Sequence, residues 1–491
     1  MSEFHGLNRI PLSWRWSTIG LACLKVQDGT HFSPQNQLAH GAYRYITAKN
    51  VKPSGLDLSN VSYLAEDEHR TIYKRCDPKK GDVLLVKDGV NTGDAAVNTL
   101  DEEVSLLSSV CLLRPNPELL SSPFLRYFLL SPVGYRMLTG QMTGTAIKRI
   151  VLRRIKDSPV PIAPLAEQKS IVAEIDKQFS RLDEAVANLK RVKANLKRYK
   201  AAVLKAAAEG RLTEDWRKQH PDVEAASKLL ERILAERRAK WKGKGIYKEP
   251  AVPDTANLAS LPKEWIWTGL EQLTSAVRVI CYGILMPKEH VPNGVLYVKV
   301  KDLKGDKVDL ASLQRTSPRI AAAYARASLK GGDLLLAIRG TYGRVAEVPS
   351  ELDGGNITQD TARLDVTSFA DHRYIAAHLR SEITQAFFRR VARGVAVKGV
   401  NIGDVRLTPI ALPPATEQKQ IVAEVERRLS VIEELETAVE ANLTRADRLR
   451  QSILQRAFSG NLVSFERSGH IHDQQELHIA AESPAIYRTN Q

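Results

Sequence analysis

The chain has 491 residues, 43% of them hydrophobic, which is enough to build two to four domains with cores of their own. Its net charge of +15 and pI near 9.5 favour a polyanionic partner, most simply nucleic acid. No apolar run approaches the roughly 18 residues of a membrane span, and four scattered cysteines (Cys23, Cys76, Cys111, Cys281) without a C-x-x-C exclude a disulfide framework or zinc site.

The N-terminal stretch lacks an apolar signal core, so a cytoplasmic, membrane-free protein is expected. Residues 12–164 then read as a first globular domain, opened by Trp14 and Trp16. Short β-branched runs bounded by Gly, Asp and Asn predict strands at Tyr43–Thr47, Asp82–Lys87 and Val110–Arg114, and Phe124–Leu130 predicts a helix. Residues 165–212 are one long helix, with Ile175, Phe179, Leu182, Val186, Leu189, Val192, Leu196, Tyr199 and Val203 every three or four positions. A connector follows at 213–261, with a charged helix over Val223–Trp241 and a Gly/Pro-rich loop. A second domain occupies 262–414, with strands at Val295–Val300, Leu334–Arg339 and Ala362–Val366 and a helix at Tyr374–Val391. A second long helix runs over 415–462, spaced by Val425, Leu429, Ile432, Leu435, Val439, Leu443, Ala446, Leu449 and Ile453. The polar tail, 463–491, has no apolar period and predicts disorder or a docking segment.

The second half repeats the first. Glu167-Gln168-Lys169 answers Glu417-Gln418-Lys419, Ile171–Glu174 answers Ile421–Glu424, and Gly210 answers Gly460 without a gap. In the domains, Tyr45–Val51 answers Tyr297–Leu303, and Lys80–Val86 answers Gly331–Ala337. Each of these last two leads into a glycine turn. Both helices step at about 3.5 residues, the coiled-coil value. Each is bounded by Pro at its start and Gly at its end and is about 65 Å long. The first is basic and free of acids from Lys190 to Lys205, and the second opens on a mainly acidic half; the other halves reverse these signs. Antiparallel pairing aligns opposite charges, so the fold expected is α+β: two domains with mixed, curved sheets, joined and separated by an antiparallel coiled coil. The alternative is two ordinary amphipathic helices in separate cores.

Charge excess falls on both domains: 19 basic and 14 acidic residues in 12–164, and 21 and 15 in 262–414. No catalytic or metal motif accompanies it: no P-loop, H-E-x-x-H, G-x-S-x-G, methyltransferase N/D-P-P-Y/F or nuclease P-D…E-x-K pattern. A non-catalytic binding protein is expected, reading DNA through polar and basic residues on glycine-bounded turns. In the first domain the candidates are Lys25, Thr30, His31, Ser33, Lys49, Asn50, Lys87, Asn91, Thr92, Lys148 and Arg149. In the second they are Tyr282, Lys299, Lys301, Arg339, Thr341, Tyr342, Arg344, Arg393 and Lys398.

The order domain, P-L-x-E-Q helix, domain, P-x-x-E-Q helix resembles the specificity (S) subunits of type I restriction–modification systems over nearly the whole chain. The Asp28–Pro34 stretch and the Leu229–Trp241 helix share the likeness. The resemblance implies two target recognition domains, each reading one half of a split, asymmetric site in double-stranded DNA. It implies helices that dock two methyltransferase (M) subunits, through which restriction (R) subunits join. No cofactor is implied on this chain: S-adenosylmethionine belongs to M, and ATP and Mg to R. A neighbouring reading is the S subunit of a two-subunit enzyme with a fused methyltransferase–nuclease partner. From other classes come an adaptor that binds proteins without reading DNA and a free-standing enzyme.

Overall fold

A computed structural model describes residues 10–32, 34, 37–140, 149–243, 245–256 and 258–463. Ser33, Lys148 and the tail from residue 464 lie outside the described residues. Contacts divide the chain within its long helices: Met1–Ala187 with Asn442–Gln491 form one unit, and Asn188–Ala441 the other.

The first unit holds strands β1 (Arg15–Thr18), β2 (Cys23–Asp28), β3 (Tyr43–Ile46), β4 (Val51–Lys52), β5 (Gly55–Leu56), β6 (Ser62–Leu64), β7 (Val83–Val86), β8 (Ala95–Val97), β9 (Val104–Leu106), β10 (Val110–Pro115) and β11 (Pro159–Ile162). Its helices are α1 (Ile19–Ala22), α2 (Glu66–Tyr73), α3 (Ser122–Leu130), α4 (Pro132–Thr139), α5 (Leu152–Asp157) and the start of α6 (Leu165–Ala208). The four-stranded antiparallel sheet runs β2-β10-β7-β8, the three-stranded sheet β6-β3-β9 has a parallel β3/β9 pair, and β1 pairs with β11.

The second unit holds α7 (Glu214–Gln219), α8 (Ala226–Lys240), β12 (Ile266–Gly269), β13 (Cys281–Tyr282), β14 (Val295–Val298), β15 (Leu303–Lys304), β16 (Lys307–Val308), β17 (Gln314–Thr316), α9 (Pro318–Ala323), β18 (Leu334–Ala337), β19 (Val345–Glu347), β20 (Asn356–Ile357), β21 (Thr361–Leu364), α10 (His372–Arg380), α11 (Glu382–Val391), α12 (Ile402–Arg406), β22 (Pro409–Leu412) and the start of α13 (Ala415–Phe458). Its sheets repeat the first unit strand for strand: β13-β21-β18-β19, β17-β14-β20 with a parallel β14/β20 pair, and β12 with β22. The expected single helix over Tyr374–Val391 is two. Extended backbone at Ser381 (φ −69°, ψ 155°) ends α10 and starts α11, as Ser131 does between α3 and α4.

The helices pair antiparallel within each unit. Ile171 and Ile175, early in α6, share the first unit's core with Ile453, Leu454, Ala457 and Phe458, late in α13. Val203, Leu204 and Ala207 share the second unit's core with Ile421, Val422 and Val425. Asp183 pairs with Arg450, and Lys193 with Glu440 at 2.7 Å, the opposite-sign match that antiparallel order predicts. Other charges resolve along one helix instead. Glu424 bonds Arg427 and Arg428, which hold its carboxyl down at about 2. A two-helix seam is narrow, so Val192 and Tyr199 of α6 and Leu435 and Leu449 of α13 keep about half their surface exposed.

The repeated Glu-Gln explains itself as a latch between domain and helix. Gln168 Oε1 accepts from Ser121 N (2.9 Å), and its amide donates to Leu119 O and Ala163 O (both 2.8 Å). Gln418 accepts from Asp371 N (2.8 Å) and donates to Pro413 O (3.0 Å). Glu167 and Glu417 each accept the indole N–H of the domain's opening tryptophan, Trp14 and Trp265, both at 2.8 Å. Glu417 is fully buried and also takes Thr213 Oγ1 (2.6 Å) and Arg217 Nη1 (2.5 Å) from the connector.

Candidate nucleic-acid interface

In the first unit the four-stranded sheet ends in a junction of backbone segments. Thr30 N donates to Leu106 O (2.8 Å), Ser108 N to Thr30 O (2.8 Å), Lys87 N to Ser109 O (2.9 Å) and Ile150 N to Lys87 O (2.9 Å). The chain crosses so closely at Gly29 that a Cβ there would lie 2.0 Å from Leu106 O, which only glycine permits. This brings together Thr30, His31, Lys87, Asn91, Thr92 and Arg149, with Val90 fully exposed at the tip of the turn.

Beneath the turn lies a chain of alternating charges. Arg75 meets Asp28 at 2.9 Å, Asp28 meets Lys87 at 3.5 Å, Lys87 meets Asp88 at 3.4 Å, and Asp88 meets Arg149 Nε at 3.0 Å. Asp28 and Lys87 are buried, and His31 caps Asp28 from outside at 3.1 Å. Burying such charges is tolerated because each has an opposite neighbour. Arg75 is 47% exposed at one end, and Arg149 leaves the chain for solvent at the other, its side chain 54% exposed. Its hydrogen bond to Asp88 raises its pKa further, so it stays charged.

The other first-domain candidates stand differently. Asn50 is buried and closes its own turn, accepting from Thr47 N (3.0 Å) and donating to Asp57 O (3.0 Å), while Lys49 beside it is exposed. Thr92 is buried and donates to Gly89 O (2.6 Å). Lys25 sits three residues back along β2, about 10 Å from Asp28 at the usual rise, and is tied to Asp77 at 2.5 Å.

The second unit repeats the junction with other chemistry. Val400 N donates to Ile338 O (2.8 Å), Gly340 N to Lys398 O (3.1 Å), and Arg393 and Gly399 exchange both backbone bonds (2.8 and 2.9 Å). Gly283 repeats Gly29, its Cβ site 2.0 Å from Ile357 O. Tyr282 stands where Asp28 does, and Ile338 where Lys87 does, so the ionic chain is missing. Arg339, Arg393 and Lys398 converge here, exposed and with no carboxylate within 4 Å among the described residues, and Thr341 is exposed on the same turn. Tyr342 is half-buried against the core. Tyr282 lies under Arg326 (5.4 Å), and Arg344 Nη1 donates to Leu303 O (3.4 Å). Lys299 is drawn to Gln314 (2.6 Å) and Lys301 to Asp302 (3.2 Å).

Sequence reasoning passed over Asp88, Arg75 and Arg326. Asp88 in Lys-Asp-Gly reads as an ordinary turn aspartate, and Arg75 is brought in from a different loop, so no local signal marks either.

Residues 23–198 match the family described as Type I restriction modification DNA specificity domain. The type I restriction enzyme EcoBI specificity subunit of Escherichia coli is 28% identical over 345 residues, 69% of this chain and 66% of that one. The chain is similar to specificity subunits of type I restriction–modification systems. The EcoKI specificity subunit of Escherichia coli strain K12 matches at 25% identity over 467 residues, 93% of this chain and 90% of its own. A solved structure titled as the basis of complex assembly and conformational transition of the type I R-M system shares the fold. It has a TM-score of 0.63 at 18% identity and covers 92% of this chain and 100% of that one. These relatives are named for specificity, not catalysis, and the segment 23–198 matches a DNA specificity domain. Among the described residues no helix is long and apolar enough to cross a membrane.

Proposed function

We propose that the chain reads a bipartite, asymmetric site in double-stranded DNA, each domain contacting one half, and that it presents that site to methyltransferase and restriction subunits. The observation that carries this reading is the repeated junction at the end of each four-stranded sheet. Two copies of one backbone frame carry different polar groups, Asp28, Lys87 and Arg149 in one and Tyr282, Arg339 and Lys398 in the other. That is what two different half-sites on a common scaffold require. The exposed members of both sets, with Lys49, Thr341 and Arg393, are the proposed contacts; Lys87, Asn50 and Thr92 would act by shaping the turns. Ser33 and Lys148 remain proposed contacts outside the described residues.

Two M subunits would dock on the long helices, whose exposed Val192, Tyr199, Val431 and Leu435 offer apolar anchors, and R subunits would join through M. S-adenosylmethionine would then be held by M, and ATP and Mg by R, with the complex working in the cytoplasm. The proposed domain limits are 12–164 and 262–414, with 165–212 and 415–462 as the spacer helices.

The test is to express the chain with its M subunit in cells lacking adenine methylation and to map N6-methyladenine genome-wide. One split asymmetric motif, lost when this chain is omitted, supports the reading. A stable complex with M that adds no methylation overturns it in favour of an adaptor.

A further inference from the structure

We infer that Arg149 is a guanine-reading residue and that Asp88 is its positioning residue; this rests on the DNA-reading function proposed above and names the base that one contact selects. Asp88 binds the guanidinium side-on, with Nε donating to Oδ1 at 3.0 Å and Nη2 to Oδ2 at 3.4 Å. Those bonds use one edge of a rigid, planar fork. The edge formed by Nη1 and the second Nη2 hydrogen has no partner among the described residues and lies on a side chain that is 54% exposed. Two parallel donors at that spacing match the paired acceptors O6 and N7 that guanine presents in the major groove. Adenine offers N7 beside a donor and would leave one N–H opposed.

The support for Asp88 runs deep. Its second neighbour is buried Lys87, which is held in turn by buried Asp28, which Arg75 closes from the far side at 2.9 Å. The backbones of Asp88 and Arg149 are themselves bridged, and Ile150 N is bonded to Lys87 O at 2.9 Å. A phosphate contact needs only a positive charge and tolerates a mobile side chain. A train of alternating charges, buried at Asp28 and Lys87 and carried through Asp88 to the exposed Arg149, fixes the plane of that guanidinium, which matters for a bidentate base contact. The second unit shows the contrast. Arg339, at the position of Asp88, has no carboxylate within 4 Å among the described residues, and Ile338 replaces the buried lysine.

The experiment uses the full chain bound to its M subunit and a pool of randomised DNA duplexes, with bound and unbound fractions sequenced at several salt concentrations. In the unmutated complex one half-site is expected to hold a G·C pair preferred by about 10- to 100-fold. Arg149→Ala should abolish the preference at that one pair and leave the other half-site unchanged. Arg149→Lys should not restore it, because an ammonium has no fork. Asp88→Asn should relax the same pair at least about fivefold. If Arg149→Ala instead weakens all sequences equally and lowers the salt slope by about one, the residue is a phosphate contact and the proposal falls. It falls equally if base preference is unchanged in both Arg149 variants. An Asp88→Asn protein that folds and keeps the full preference removes Asp88 from its role. Should that variant fail to fold, the two Arg149 variants, altered only at an exposed side chain, still decide the guanine assignment. An unmutated complex that selects no sequence defeats the underlying DNA-reading function, and that failure is seen before any variant is made.

Discussion

The two glutamates of the repeated Glu-Gln motif carry unequal loads. Glu417 is sealed from water with three donors on it, one of them the Arg217 guanidinium. Glu417→Ala strands a charged donor and an indole N–H, and should cost about 3–5 kcal/mol. Glu167 is half-buried and, among the described residues, takes Trp14 and Ser13 alone, so Glu167→Ala should cost about 1 kcal/mol. Urea unfolding followed by tryptophan fluorescence measures both, and equal losses would contradict the asymmetry. Gly460 makes a similar residue-scale case. Its φ is +75°, and a Cβ would sit 2.3 Å from Pro11 Cγ. Gly460→Ala should therefore destabilise by more than about 1 kcal/mol, read as a lower urea midpoint.

At the scale of the helix, the periodic positions divide into two classes. Ile175 and Ile453 are buried in the first unit's core, whereas Leu435 and Leu449 are half exposed on the rod. Ile175→Ala should cost about 2–5 kcal/mol. Leu435→Ala should cost much less and should act on M-subunit binding if the docking proposed above holds; parallel melts and pull-downs separate the two effects. Charge adds a pH dependence. Glu424, whose carboxyl is depressed to about 2 by Arg427 and Arg428, titrates near 4.5 when unfolded. Its folded-state pKa is the lower one, so its contribution is complete above about pH 4.5 and fades as pH falls towards 2. The gap in Tm between the native chain and Glu424→Gln should be widest above pH 4.5 and close below it. The gap should be small throughout, since salt and solvent screen an exposed helix pair.

At the scale of the whole molecule, α6 and α13 are the same length, 44 residues each, and each contributes one end to either unit. Under the proposed function the unread gap between half-sites follows helix length. Adding one heptad to both helices keeps the seam in register and adds about 10 Å, or roughly three base pairs. The methylated motif should keep both halves and widen its gap; an unchanged gap in a folded, active complex would refute helix-length control. Each basic residue removed from Arg339, Arg393 and Lys398 should lower the salt slope of DNA binding by about one.

What the chain determined by itself was its periodic and repeated content. Steps of 3.5 residues, proline starts, glycine stops and opposed charge halves specify two long helices and their antiparallel order, because these are local geometric needs written at fixed spacing. The internal repeat likewise announces two copies of one domain, and the six strands expected from short β-branched runs all form, within a few residues of their limits. Tertiary structure decided what spacing cannot express. The Glu-Gln pairs bind tryptophans about 150 residues away, and the break at Ser381 depends on its extended backbone rather than on the apolar pattern around it. Above all, the junctions are made by loops distant in sequence. Only folding puts Arg75, Asp28, Lys87, Asp88 and Arg149 in one line, burying Lys87 as a strut and leaving Arg149 in the open. Side chains of like sequence character thereby acquire opposite roles, since burial and the sign of the nearest charge are properties of the folded chain.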